Sequence, residues 1–178
     1  VIDQQKPAHI PDDIPAYRLA DKLEDVNLDE DKLLEAATLA LCWSRAWAGG
    51  GAHGTVYSVK PAQVSKTANT GEFVGKGAFI VRGQRQWFKD LDVQIGVGII
   101  AVNGVPLLMG GTPSTVKKIC TRYAILAPGL TKKEQLANKI YKNTGLVTDD
   151  ILGVLPGAGQ IIEDYGIFSA PKTIEEEE

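Results

Sequence analysis

Val93-Gln94-Ile95-Gly96-Val97-Gly98-Ile99-Ile100-Ala101-Val102 is the stretch from which the rest of the chain is read. In extended backbone Val93, Ile95, Val97, Ile99 and Ala101 share one side, while Gln94, Gly96, Gly98, Ile100 and Val102 share the other. The first face is wholly apolar and belongs against a core. The second carries two bare glycines, so another element must approach it closely. A packed helix is the commoner cover, with the long helix upstream the expected one, and a ligand backbone is the rarer cover. Asn103-Gly104 follows at once, the pair that supplies both positive-φ positions of a two-residue hairpin turn. Pro106 then puts the returning strand at a sheet edge, because proline has no N–H for a second neighbour.

Upstream, Leu33, Ala37, Ala40, Leu41, Ser44 and Trp47 recur at three- and four-residue intervals. Asp29, Glu30 and Asp31 stand at the start of that run, where the helix dipole favours carboxylates. Gly49-Gly50-Gly51 ends the predicted helix. Short runs at Thr55–Lys60, Gly77–Arg82 and Arg85–Lys89 read as strands. Residues 1–28 hold Pro7, Pro11 and Pro15 and read as an extended lead-in with a short helix at Ala16–Glu24.

Downstream, Thr112-Pro113 reads as an N-cap followed by proline at the first helical position, opening a short helix through Ile119. Arg122–Ala127 is a predicted strand. Thr131-Lys132-Lys133-Glu134 fits a capping box ahead of a helix striped by Leu136, Ile140 and Tyr141. A further short helix is expected at Asp149–Leu155, and Glu175–Glu178 form a solvated tail. The sum is an α+β fold: a mixed or antiparallel sheet packed against a long helix, with a small C-terminal α/β module. The expected domains are residues 1–110 and 111–178.

Composition limits the class. A chain of 178 residues buries roughly two thirds of its extended surface as one compact body. With 44% hydrophobic and 23% charged residues it is too apolar to be disordered, and no stretch approaches the ~18 apolar residues of a membrane helix. Cys42 and Cys120 lack the spacing of a zinc site or a disulfide framework, so an intracellular, cytoplasmic setting is expected. The opening Val1-Ile2-Asp3-Gln4, with neither Met nor a signal sequence, reads as a piece of a longer chain.

Net charge is -3, unevenly distributed. Residues 1–35 carry 4 - 10 = -6, residues 54–122 carry 9 - 3 = +6, and residues 123–178 carry 5 - 9 = -4. A basic middle between acidic ends is an electrostatic footprint for a polyanion, although such blocks also occur on solvated faces. The polyanion reading requires the cations between Lys60 and Arg122 to gather on one patch.

Catalytic chemistry finds few candidates. The two histidines, His9 and His53, lie in a proline-rich lead-in and beside a glycine run. A nucleophile–histidine–carboxylate arrangement therefore has little to draw on. Gly49-Gly50-Gly51 lacks the Lys and Ser/Thr of a phosphate loop, and Gly75-Lys76-Gly77 lacks dinucleotide spacing. No metal-ligand spacing stands out. The expectation is a binding protein without catalytic residues, metal or cofactor.

The informative stretch is Lys60 to Lys89, where Lys60, Lys66, Lys76, Arg82, Arg85 and Lys89 are interleaved with Phe73, Phe79, Trp87 and Phe88, just after Tyr57. Cations attract phosphates and aromatic rings stack on unpaired bases. On a sheet or hairpin that mixture suits folded or single-stranded RNA better than the DNA major groove. Taken singly, Phe79, Trp87 and Phe88 read as core, whereas Lys66, Lys76 and Arg85 read as exposed.

The same stretch carries a resemblance. Val64-Ser65-Lys66-Thr67-Ala68, Thr70-Gly71-Glu72-Phe73 and Gly77-Ala78-Phe79-Ile80-Val81-Arg82-Gly83, with Ser44-Arg45-Ala46-Trp47 before them, resemble the NFACT-R domain of the NFACT family of ribosome-associated quality-control factors. Tyr123–Ala127, Pro128-Gly129 and Lys132-Lys133 are similar, more weakly, to the C-terminal module of that family, in an archaeal-like arrangement. The resemblance implies that residues 1–110 are the C-terminal part of an RNA-binding domain. It implies tRNA, the large ribosomal subunit and the remaining domains of a parent protein as partners, in support of C-terminal tailing of stalled nascent chains. The ribosome does the peptide chemistry. Lys66, Thr67, Lys76, Arg82, Arg85 and Trp87 are the expected RNA-binding residues. Ser58 departs from the family pattern, where tryptophan is expected, as does Gln84, where a basic residue is frequent. The alternative is a structural or protein-interaction module of the same factor without direct RNA contact. Self-association is a further expectation if an absent front part leaves a sheet edge unpaired.

Overall fold

The computed structural model of the chain describes residues 29–169, so the expected helix at residues 16–24, His9 and the acidic tail lie outside the described residues. The described chain runs α1 (Glu30–Cys42), α2 (Arg45–Ala48), β1 (His53–Ser58), a 3-10 turn (Pro61–Gln63), β2 (Val64–Ser65), β3 (Ile80–Val81), β4 (Gln86–Asp92), β5 (Ile95–Val102), β6 (Val105–Gly111), α3 (Pro113–Ile119), β7 (Arg122–Thr131), α4 (Lys133–Thr144), α5 (Thr148–Val154) and β8 (Gly159–Tyr165). It is an α+β fold, as expected. It falls into two compact units. Unit 1 takes residues 57–87 with the chain up to Leu33, and unit 2 takes residues 34–56 and everything from Phe88 on. The lines between them fall inside α1, β1 and β4, not at residue 110.

Unit 2 is built on a four-stranded sheet in the order β6-β5-β7-β8. Every pairing in it is antiparallel. Pro106 lies on β6, an edge strand, as its missing N–H requires. Asn103 and Gly104 take φ of 52° and 80° at the turn between β5 and β6. The apolar face of the β5 stretch is buried as its alternation demands: Val93, Ile95 and Val97 are at most 1% exposed. They join Leu41 and Cys42 of α1 and Leu136 and Ile140 of α4 in one core.

The glycine face is covered by a helix, but by α3 rather than α1. A Cβ on Gly96 would lie 2.9 Å from Val116 Cγ1, and one on Gly98 would lie 2.7 Å from Cys120 Cβ. Val116, Cys120 and Ile125 form a second, smaller core there. The cause is the hairpin, which returns the chain through β6 directly into α3. That helix opens as its sequence promises, with Thr112 Oγ1 accepting from the N–H of Thr115 and Pro113 in the first turn.

Three local expectations need correction. The long helix breaks at Ser44, which caps α2 by accepting from Ala46 N and donates to Leu41 O at 2.7 Å. A serine with backbone partners on both sides ends one helix and begins another. Trp47 of α2 is then only 4% exposed, its indole N–H donating to Ala158 O at 2.7 Å. The capping box at Thr131 does not form. β7 continues to Thr131, paired with Gly159 past a bulge, so the N-cap falls on Lys132 with no side-chain bond. Finally, β8 is a strand that alternation did not announce, since Ile161 and Ile162 are neighbours and both exposed.

Candidate nucleic-acid interface

Unit 1 gathers its chemistry between residues 57 and 87. The expected Gly77–Arg82 strand shrinks to Ile80–Val81, which pairs antiparallel with Val64–Ser65. Gly77 and Gly83, at φ of 81° and 84°, bound it in conformations that no strand continues. Gln63 fastens this core of the unit. Its side-chain amide donates to Arg82 O at 2.9 Å and Gln84 O at 2.6 Å, and its Oε1 accepts from Lys60 N at 2.9 Å.

The register places Arg82 beside the loop that follows β2. Arg82 Nη2 lies 2.6 Å from Glu72 Oε2 and 3.5 Å from Thr67 O. The same carboxylate oxygen accepts from Asn69 N at 2.8 Å. Thr67 N in turn donates to Ser65 Oγ at 3.0 Å. Arg82 and Thr67 are therefore brought together, but Arg82 is already balanced by a carboxylate and serves to order residues 67–72. Lys66 is exposed, its ammonium 5.0 Å from the centre of the Phe79 ring.

A second group lies on β1, β4 and the residue before β4. Tyr57 and Trp87 meet edge to face, ring centres 5.1 Å apart at 60°. The Arg85 guanidinium sits 4.8 Å from the Tyr57 ring centre and 6.0 Å from that of Trp87. Trp87 is 50% exposed and so is not core. Among the described residues β1 and β4 pair only with each other. Phe88, its neighbour in sequence, points the other way and is buried, while Phe79 is half-buried. Lys76 stands exposed on the turn between Gly75 and Gly77, with no bond to either group among the described residues. Tyr57, Gln63 and Glu72 were not among the expected site residues. Tyr57 could have been found from its place in the aromatic run, whereas Gln63 and Glu72 act through pairings that only the fold creates.

The +6 block is divided between the two units. Lys60, Lys66, Lys76, Arg82 and Arg85 fall in unit 1, whereas Lys89, Lys117, Lys118 and Arg122 fall in unit 2. There Lys117 pairs with Glu163 at 2.6 Å, and Arg122 Nε donates to Gly166 O at 2.8 Å. Within residues 57–87, Glu72 is the sole carboxylate against five cations, so the segment carries 5 - 1 = +4. His53 Nδ1 lies 2.9 Å from Asp92 Oδ1, but both side chains are more than three-fifths exposed, outside the enclosed cleft that nucleophilic catalysis uses.

Residues 15–83 match the family described as the NFACT protein RNA binding domain. Over these residues the chain carries the RNA-binding domain of the NFACT family. It is 35% identical over 141 residues, 78% of this chain and 21% of the relative, to the archaeal Rqc2 homolog aRqcH of Methanocaldococcus jannaschii. It is 37% identical over 68 residues to the human ribosome quality control complex subunit NEMF, covering 38% of this chain and 6% of that protein. The corresponding NEMF homolog of Drosophila melanogaster is 35% identical over 68 residues, 38% of this chain and 7% of that protein. The chain thus spans about a fifth of the length of the archaeal relative and far less of the animal ones. No solved structure matches. The NFACT match contains Lys66, Thr67, Lys76 and Arg82, and ends just before Arg85 and Trp87.

Proposed function

We propose that this chain is the RNA-binding module of a cytoplasmic ribosome quality control factor, contacting tRNA and large-subunit RNA through unit 1. The observation that carries the reading is the +4 charge of residues 57–87 in a protein of net charge -3. Their single carboxylate is already engaged by Arg82. The module binds and the ribosome reacts: the chain supplies no catalytic group, and the remaining domains of the parent protein share in tailing of the stalled nascent chain. Binding of a polyanion by cations releases counterions, so affinity falls as a power of salt concentration. Titration of labelled tRNA against the chain is expected to give a log–log salt slope of about -1.5 to -3.5, as for two to four phosphates neutralised. Arg82→Glu with Arg85→Glu is expected to abolish most of the binding. No detectable complex at about 50 mM salt, or a slope near zero, refutes the reading.

Unit 2 favours a second role alongside the first. Ile162 and Tyr165 of the edge strand β8 are 53% and 56% exposed, apolar surface of the kind that marks a protein contact. The partner in that reading is another domain of the parent protein. Purified parent domains, mixed with the nuclease-treated chain, are expected to bind wild type and to release Ile162→Lys.

A further inference from the structure

We infer that Tyr57, Arg85 and Trp87 form a site for one unpaired nucleobase with its phosphate, so that unit 1 takes single-stranded RNA in preference to duplex; the inference rests on the RNA-binding reading above. Two large rings held in contact normally bury most of their surface. Here Trp87 stays 50% exposed and Tyr57 37% exposed. Their edge-to-face packing at 60° leaves ring faces uncovered that a parallel sandwich would close. Arg85 covers the Tyr57 ring at 4.8 Å but is 6.0 Å from the Trp87 centre, the outer limit of a cation–π contact. The indole is thus the ring with the more open face.

Arg85 supplies the second half of the site. Its guanidinium is fixed by rings rather than by acid, and among the described residues it has no carboxylate partner, in contrast to Arg82. A guanidinium held over a ring rather than by a carboxylate keeps N–H donors for a phosphate oxygen. Ring and cation therefore offer what one nucleotide carries, a π-face and an anion. Bases within a duplex are already stacked on each other, and the A-form major groove is too narrow for side chains to read, so only an unpaired base reaches an indole.

The test uses the full chain and a labelled, unstructured RNA roughly ten nucleotides long, alone or annealed to its complement, followed by fluorescence anisotropy. The single strand is expected to bind at least about tenfold more tightly than the duplex. Trp87→Ala is expected to weaken the single strand by about tenfold, to change duplex affinity less than about twofold, and to leave the salt slope unaltered. Arg85→Ala is expected to make the slope shallower by about one. Trp87→Phe, which keeps a ring and guards against misfolding, is expected to retain most single-strand affinity. Equal affinity for both RNAs, or a Trp87→Ala variant that binds like wild type, overturns the stacking site and leaves the RNA-binding reading intact. Absence of binding to either RNA overturns both.

Discussion

Arg82 and Arg85 are three residues apart and carry the same charge, yet their surroundings assign them different work. Arg82 is held by Glu72 at 2.6 Å with both side chains about two-fifths exposed, a pair that solvent screens to about 0–1 kcal/mol. What the pair secures is local order in the loop after β2, since Glu72 also receives Asn69 N. Arg85 leans on two rings and keeps its charge for an outside anion. In tRNA titrations Arg85→Ala should therefore cost about tenfold, as losing a charged hydrogen bond does, and Arg82→Ala less than about threefold. Glu72→Gln should raise affinity, because it removes the segment's sole negative charge. Equal losses for the two arginines would show that Arg82 leaves Glu72 when RNA binds. The family motif points to Arg82 by position. Which arginine is committed was not legible, because Glu72 reaches Arg82 only through the Val64↔Val81 register.

At the scale of elements, β5 was the most legible feature, since its alternation fixes both faces at once. Its prediction is steric. Gly96→Ala pushes a methyl into Val116, which is fully buried and cannot yield, and should destabilise the protein by about 2–3 kcal/mol in urea denaturation. Adding Val116→Ala should restore part of that loss, whereas a neutral Gly96→Ala would mean that α3 does not pack there. What sequence missed follows from competition between local and longer-range preferences. The box at Thr131 is a valid local signal, overridden because strand pairing with Gly159 is available to the same residue. The helix through Ser44 has the right period, but the serine hydroxyl offers the backbone another partner on either side. β8 gives no alternation because it is an edge strand with exposed residues on both sides of its pleat.

Across the whole molecule, closure of the fold depends on its last described turn. Asp164, paired with Ala124 of β7 near the end of β8, accepts from Ile167 N at 2.9 Å, Phe168 N at 3.1 Å and Ser169 N at 3.0 Å, and from Ser169 Oγ at 2.6 Å. Asn143 of α4 donates to the carbonyls of Gly166, Ile167 and Ser169, and Ile167 is fully buried. Burial opposes the Asp164 charge, but the bonds from Ser169, Phe168 and Ile167 outweigh it and hold its carboxyl below the usual aspartate range. A carboxyl lowered in the folded state adds stability at pH values above its unfolded pKa, and that contribution disappears as pH falls through the folded value. Asp164→Asn should therefore cost about 1–2 kcal/mol at pH 7 in denaturant unfolding, with the gap from wild type closing as pH falls below the ordinary aspartate range. A gap independent of pH would mean that shape rather than charge makes the turn.

Unit 1 departs from unit 2 along β1 and comes back along β4, the strand hydrogen-bonded to it. A segment that leaves and rejoins the chain on paired strands can change in length and composition without moving either end. Selection can therefore rewrite residues 60–84 for a different ligand, lengthening loops or reversing charge, while the packing between β5, α3 and α4 stays as it is.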